Sequence, residues 1–490
     1  MRYLVVLSCL LASSITTASP WAAPGDERLR HALQQLVDQG CMDALTGTWP
    51  VAWRDAPEEL LSASCKASSA YRYLLHERRY AQSSGFAGEV GISGATAEPV
   101  FRGFADQTRE RGQLNVRVGS VGPTLAWNLQ AQLVDAERDD HATRLDGSFV
   151  AAKAYGWIWG AGAIDRWWGP GWYSSTILSS NARPVPSVWL TREQSAASTL
   201  PIARYLGPWN LTMFAGQLES DRVIAHARLL GARFSFRPWS RLELGLTRLV
   251  QWGGEGRPEG LDSLWSVIIG RDNGETSGFA DGEDPSNQLG GADFRLGLPL
   301  RASTLGFYGQ MTGDDEASGL PSKYVGLAGI DWATSFAGYS QRWIVEGTNT
   351  VAGGWFGEDR LLTTYEHSTY GTGLRYQGRN VASTWDRDAD VLTVGAMQFF
   401  NNGHEVSLNY SNAELNQAGT LRPASLSPSP LVLAPPEKTR ISVLSARWRF
   451  PVKRHRFTLS AQHFSNPLVT VAGELESSNI MVGWDYRFDY

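Results

Sequence analysis

The feature that most constrains this chain is a two-residue apolar period that runs from about residue 83 to its last residue. In NLQAQL, Leu129, Ala131 and Leu133 alternate with Gln130 and Gln132; in RLELGLT, Leu242, Leu244 and Leu246 alternate with Glu243, Gly245 and Thr247. RFTLSAQ and LSARWRF repeat the pattern, with Phe457, Leu459 and Ala461 in one and Leu444, Ala446, Trp448 and Phe450 in the other. Successive side chains of a strand point to opposite faces, so each segment has one apolar and one polar side.

The connections between these segments are of two kinds. VGPT at 121–124, RPWS at 237–240, NNGH at 401–404 and PVKRH at 451–455 are tight, whereas 252–290 is long and glycine-rich and 421–437 is long and proline-rich. Short turns at one rim and long loops at the other mark an outer-membrane β-barrel, in which strands pair all round because lipid offers the backbone no partner. The fold class expected is therefore mainly β, a transmembrane antiparallel barrel over 81–490. At about 23 residues per strand and connection, the segment accommodates about 16 to 18 strands. Counting segment by segment leaves an odd strand, and the ambiguity lies in 148–195 or 336–380. The chain stops on WDYRFDY, where Trp484, Tyr486, Phe488 and Tyr490 alternate with charged residues. Such rings suit the interfacial girdle, and the strand resembles the C-terminal signal read by the barrel-assembly machinery of Gram-negative outer membranes.

Ahead of the barrel the period changes. Residues 1–18 carry Arg2, an apolar run from Tyr3 to Ala12 and the small residues Thr16, Thr17 and Ala18, the pattern of an export signal cleaved after Ala18 or as late as Ala23. Residues 24–80 read as a small helical domain. Leu29, Ala32, Leu33, Leu36 and Val37 share one helix face, with Asp26 as N-cap and Gly40 as stop. A second helix is expected to start at DAPEELL, with Asp55 as cap, Pro57 in the first turn and Glu58 and Glu59 at the positive end of the dipole, and a third over SASCKASSAYRYLLHERRYA. An exported chain could join Cys41 and Cys65. A net charge of −5 with 19% charged residues argues against a nucleic-acid surface. No run of 18 apolar residues follows the leader, so no transmembrane helix is expected.

The stretch RWWGPGW, Arg166, Trp167, Trp168, Gly169, Pro170, Gly171 and Trp172, fits neither a helix interior nor a central strand. Its tryptophans could stack on pyranose rings, while Arg166, Asn181 and Arg183 meet hydroxyls or carboxylates. Alternatively the loop folds inward as a lumen plug, with Arg166 and Arg183 paired to lumen carboxylates; the fixed Gly-Pro-Gly shape and the apolar area of buried Trp favour this second reading. The sequence holds no G-x-S-x-G, H-E-x-x-H, C-x-x-C or Walker A motif, so no catalytic residue, metal or cofactor is assigned. His76-Glu77, His404-Glu405 and the cluster Asp281, Glu283, Asp284 read as solvated surface features. Asp386, Asp388 and Asp390 alternate and are a candidate Ca²⁺ set, without the glycine and distal glutamate of an EF-hand; a loop edge or a lumen charge row reads as well.

In longer context, GAGAIDRWWGPGWYSSTILSSNARPVPSVWLTR resembles the signature of the Wzi family of outer-membrane capsule assembly proteins, with the serine-rich stretch Ser174 to Ser180 followed by Asn181, Ala182, Arg183 and Pro184. PGDERLRHALQQLVDQG, TWP near residue 48, YEHSTYGTGLRYQGR at 365–379 and GHEVSLNYSNAELN are similar to further family blocks. The resemblance implies a barrel of about 18 strands with a small N-terminal periplasmic helical bundle and an occluded lumen. It further implies a non-catalytic, lectin-like protein of the outer membrane that attaches capsular or extracellular polysaccharide at the cell surface, with membrane lipid and the barrel-assembly machinery as its other partners. A porin or substrate-specific channel is the alternative, and an outer-membrane hydrolase a third reading.

Overall fold

The two-residue period is realised as a closed ring of 18 antiparallel strands. The computed structural model describes every residue except 1–18, 57–61, 83–86, 106, 136–140, 269–285, 302, 318–319, 337–338, 356, 422–432, 434, 471–472 and 490. In chain order the first strands are β1 (Ala87–Ala95), β2 (Gly112–Val121), β3 (Leu125–Val134), β4 (Phe149–Ala154), β5 (Trp157–Gly162) and β6 (Ser187–Arg192). They are followed by β7 (Pro208–Gln217), β8 (Arg228–Trp239), β9 (Leu242–Trp252), β10 (Ser286–Leu300), β11 (Ser303–Ala317) and β12 (Leu320–Phe336). The last are β13 (Tyr339–Asn349), β14 (Asp390–Phe399), β15 (Glu405–Leu415), β16 (Thr439–Val452), β17 (His455–Phe464) and β18 (Ser478–Asp489). β18 pairs with β1, Tyr486 opposite Val90, which closes the sheet and leaves it no edge.

The ambiguous stretches resolve physically. Residues 148–195 hold three short strands separated by an inward loop, and 350–389 is a second inward loop whose small hairpin, Arg375–Tyr376 against Arg379–Asn380, lies outside the barrel sheet. Strand direction alternates, so the tight turns VGPT, RPWS, NNGH and PVKRH all fall at the rim that also holds both ends of the barrel. The long connections that follow β1, β3, β5, β9, β13 and β15 leave from the other rim.

Outward rows are apolar and inward rows polar. Ile92, Leu129, Leu246, Ile330, Trp343, Val345, Leu408 and Val482 are exposed on the outside, while Glu89, Arg233, Asp293, Arg295, Asp331, Arg342, Glu346, Glu405, Arg447 and Arg449 are buried within. This inversion suits a wall set in lipid, where any interior charge has a partner inside the barrel. Asp331 pairs with Arg295 at 2.5 Å and with Arg342, and Glu405 pairs with Arg449 at 2.5 Å.

Helix α1 (Glu27–Asp38) starts at Asp26, whose carboxylate accepts from the Leu29 N–H at 2.8 Å, and Gly40 follows its end at φ 73°. Every residue of α1 is buried, because it lies across the lumen near the short-turn rim. Glu27 meets Arg447, Arg28 donates to the Phe400 carbonyl at 2.9 Å, and Asp38 pairs with Arg295 at 2.7 Å. The chain then forms α2 (Ala63–Lys66) and α3 (Ser69–Ala81), the latter capped by the Ser68 hydroxyl. Trp53–Asp55 forms a 3₁₀ turn and the Asp55 carboxylate accepts from Ser195, while the expected helix start at Pro57, Glu58 and Glu59 lies outside the described residues. Cys41 and Cys65 form a disulfide with Cα atoms 5.8 Å apart, fastening the segment after α1 to α2. No helix among the described residues is long and apolar enough to cross a membrane.

Val345, 47% exposed beside Ile330 on the outward face, provides the test of this sidedness. Val345→Arg should destabilise the vesicle-reconstituted barrel by about 2–4 kcal/mol, read from the urea unfolding midpoint, whereas Val345→Leu should leave it unchanged.

Candidate functional site

Loop 163–186, between β5 and β6, turns into the lumen and brings RWWGPGW against α1. Trp167 and Trp168 pair as a short antiparallel ladder with Trp49 and Thr48 of the N-terminal segment. Gly169 adopts φ 126°, and a Cβ there or at Gly171 would collide with Gln310 or with Ser174 and Leu327, so the Gly-Pro-Gly geometry permits close passage along the wall. Trp167, Trp168 and Trp172 are fully buried.

A carboxylate holds the loop. Glu346 of β13 accepts from the backbone N–H groups of Trp172 at 2.6 Å, Tyr173 at 3.0 Å and Ser174 at 2.9 Å, and from the Tyr308 hydroxyl at 3.0 Å. Gln310 of β11 accepts from the Thr176 N–H at 2.8 Å and donates to the Trp168 carbonyl at 3.0 Å. From the other side Arg30 of α1 donates to the carbonyls of Pro170 at 2.7 Å and Gly171 at 2.8 Å, with its guanidinium 4.3 Å from the Trp172 ring centre. Backbone that would otherwise be orphaned in a buried loop is thus satisfied from two directions.

Below this contact the N-terminal segment is fixed likewise. Glu243 accepts from the N–H groups of Thr46 and Gly47, both at 2.8 Å, and Arg233, paired with Asp293 at 2.6 Å, donates to Thr48 and to the Gly47 carbonyl. Above it sits loop 350–389: the Tyr365 hydroxyl donates to the Thr176 carbonyl at 2.9 Å, and Asn181 donates to the Asn380 carbonyl at 2.9 Å. Arg183 makes a two-point pair with Asp146 at 2.8 and 3.0 Å, and Pro184 beside it is buried. Arg166 departs from expectation. It forms no salt bridge among the described residues and instead donates to the Ser187 hydroxyl at 3.1 Å and lies 4.5 Å from the Phe214 ring centre.

The three alternating aspartates do not converge. Asp386 pairs with Arg375 at 2.8 Å, Asp388 accepts from the Leu362 N–H and pairs with Arg387 at 3.0 Å, and Asp390 opens β14 exposed. Asp386 and Asp388 have φ values of 56° and 51°, so strand alternation fails there and the carboxylates serve the fold of the inward loop. No acidic or histidine cluster with metal-binding geometry occurs among the described residues. Two pairs read as solvated are engaged with the barrel: Glu405 is buried against Arg449, and Glu77 pairs with Arg487 at 3.2 Å. Asp281, Glu283 and Asp284 lie outside the described residues, as does Tyr490; Trp484, Tyr486 and Phe488 lie in one row of β18. Glu346, Gln310 and Arg30 were not singled out by sequence, because nothing separates them from other polar residues at lumen positions. Beside the packed axis, a cavity of about 390 Å³ follows the wall of β18, β1, β2 and β3, lined by Glu89, Asn115, Arg117, Gln132, Asp485 and Arg487 among others.

Fold and site together define an outer-membrane β-barrel whose lumen is packed by its own chain, with the short-turn rim and α1 on the periplasmic side. Residues 81–472 match the family described as capsule assembly protein Wzi, and this chain belongs to that family. It is 30% identical over 354 residues to an uncharacterized 55.8 kDa protein in the cps region of Klebsiella pneumoniae, covering 71% of this chain and 69% of that one. Its structure is similar, with TM-score 0.79 at 24% identity, to Wzi of Escherichia coli, described as an outer membrane protein involved in group 1 capsule assembly and a carbohydrate-binding β-barrel; the match covers 96% of this chain and 99% of that one. Pseudomonas aeruginosa OprD is a distant likeness, with TM-score 0.44 at 10% identity over 82% of this chain and 94% of that one.

Removing the grip on the loop should be visible. Glu346→Ala leaves three buried N–H groups without their acceptor and should lower stability by on the order of 3 kcal/mol in urea unfolding. The same variant should raise conductance in planar bilayers above the wild-type level. At the periplasmic rim, burial pushes the Asp55 carboxyl up from 3.8 to about 6, although the Ser195 N–H and hydroxyl both donate to it. A folded value raised above the unfolded one means that this group's stabilisation is fully present below about pH 4 and is lost as pH rises through about 6. A nitroxide at Ser62→Cys should therefore become more mobile between pH 5 and pH 7.5, and Asp55→Asn should flatten that response.

Proposed function

We propose that this protein is a non-catalytic, lectin-like barrel that holds capsular or extracellular polysaccharide at the cell surface and needs no cofactor. Membership of the capsule assembly family supports the reading, as does the carbohydrate binding attributed to the E. coli relative. The observation that carries it is the packing of the barrel axis, where Arg30 meets the Pro170 and Gly171 carbonyls and leaves a bulky polymer no central path. In this reading RWWGPGW is a structural plug, and the glycan meets the long-loop rim. Exposed Trp355 and the exposed residues 357–361 offer there the chemistry a sugar needs: Trp355 to stack on a pyranose and Arg360 to pair with carboxylates.

The same proposal takes residues 1–18 as the export signal, 24–80 as the periplasmic domain and the aromatic row of β18 as the assembly signal. A channel is the second reading, favoured by the polar cavity along β18, β1, β2 and β3. Steady conductance of the wild-type barrel in planar bilayers would support it over the lectin. Turnover of labelled lipopolysaccharide or capsule that disappears on substitution of a serine, histidine or carboxylate would replace both.

Deleting the gene should leave polymer synthesis intact and release capsule into the medium; normal cell-bound capsule in the deletion would contradict the proposal. On a glycan array, the detergent-purified barrel should bind polymer, and Trp355→Ala with Arg360→Ala should weaken binding at least about tenfold, the scale of a 1.4 kcal/mol loss, with the unfolding midpoint unchanged.

A further inference from the structure

Among the described residues, one helix lies outside the barrel wall. Helix α4 (Leu261–Ile268) belongs to the loop after β9 and packs through Leu264 and Val267 onto Leu230 of β8 and onto Val250 and Trp252 of β9. Val250 stands opposite Leu230 in the sheet and shares the outward row of β9 with Leu246. Burial along that row records the cover: Leu246 is 53% exposed, Val250 6% and Trp252 8%. The Trp252 indole N–H donates to the Ser263 hydroxyl at 3.1 Å, which fixes the helix to the wall.

The helix has three faces. At about 100° per residue, Ser263, Leu264 and Val267 form the face on the barrel, and Leu261, Trp265 and Ile268 fall within about 60° of one another on a second. That second stripe is 83%, 62% and 53% exposed at its three residues. Asp262 and Ser266 occupy the third face, of which Asp262 is exposed. A helix on a soluble rim has no need of a second apolar stripe turned away from its support.

Arg248 supplies an independent observation. It occupies the outward row between Leu246 and Val250, where a guanidinium facing acyl chains is destabilising. Its side chain donates to the carbonyls of Val267 and Ile268, both at 2.8 Å, and to Gln288 at 2.9 Å. The carbonyls of Val267 and Ile268 thus receive a cation, and the cation is held by the helix at the lipid face.

We propose that α4 is an interfacial anchor, with Leu261, Trp265 and Ile268 seated in the outer leaflet at the boundary between acyl chains and head groups. The occupant follows from continuity. The stripe adjoins the lipid-facing wall, where Met213 of β7, Leu246 of β9 and Phe294 of β10 are exposed. The 11 residues of β9 match one membrane crossing, so Val250 and Trp252 mark its outer boundary, the level at which tryptophan is favoured in barrels.

The test uses the full chain in phosphatidylcholine vesicles, with a bimane label on single added cysteines. Trp265→Cys and, independently, Leu261→Cys should lose at least half their fluorescence when the acyl chains are brominated near the head group, as should the wall control Leu246→Cys. Asp262→Cys should respond to aqueous iodide instead. The proposal is overturned if labels at 265 and 261 follow iodide and ignore bromine while the label at 246 is quenched. It is equally overturned if position 265 cross-links between copies, or if added capsular polysaccharide shields it in place of lipid. Failure at 246 as well would strike the membrane placement of the wall itself, and none of these outcomes bears on glycan binding at 355–361.

Discussion

The absence of water in the hydrocarbon layer governs this structure. A backbone that crosses lipid as strands must pair every N–H and C=O within the protein, and only a closed ring does so. Here the ring is closed by β18 on β1, and its outward rows carry the apolar residues that a soluble protein would bury. Apart from Arg248 near the outer rim, the wall charges named above lie inside, where a lone charge at low dielectric is costly. The paired clusters Arg295, Asp331, Arg342 with Asp38, and Glu405, Arg449 with Arg28, follow from that confinement.

An interior lined by charges invites something to complete it. From the periplasmic side α1 supplies Glu27, Arg28 and Asp38; from the outer side loop 163–186 supplies a run of backbone dipoles. The two meet where Arg30 and Glu346 grip the same short stretch, Pro170 to Ser174, the cation on its carbonyls and the carboxylate on its N–H groups. Four tryptophans, Trp49, Trp167, Trp168 and Trp172, fill the space around that contact. In the proposed reading, a barrel packed along its axis works through its rims.

How much of this the sequence discloses depends on whether a signal is local. Alternation is local, and NLQAQL, RLELGLT, RFTLSAQ and LSARWRF all form wall strands. The Asp26 cap is local too, and it holds. The odd strand count arose because six-residue strands such as β4 and β5 carry a short period, and because LRYQGRN forms a hairpin that is not part of the wall. DRDAD alternates in sequence but not in space, since left-handed φ values at Asp386 and Asp388 break the pleat. Glu346 and Gln310 are legible as lumen-facing, yet which lumen residue grips which loop depends on contacts more than 130 residues apart. The burial of Glu405 escaped for the same reason, because its partner Arg449 lies 44 residues away.

The central claim is that the tryptophan loop is held inside the barrel by a wall carboxylate. Amide hydrogen exchange of the reconstituted protein tests this most directly at Trp172, Tyr173 and Ser174. The account predicts exchange as slow as that of the neighbouring strand amides on β13. Exchange at these three positions as fast as at the exposed residues 357–359 would contradict it.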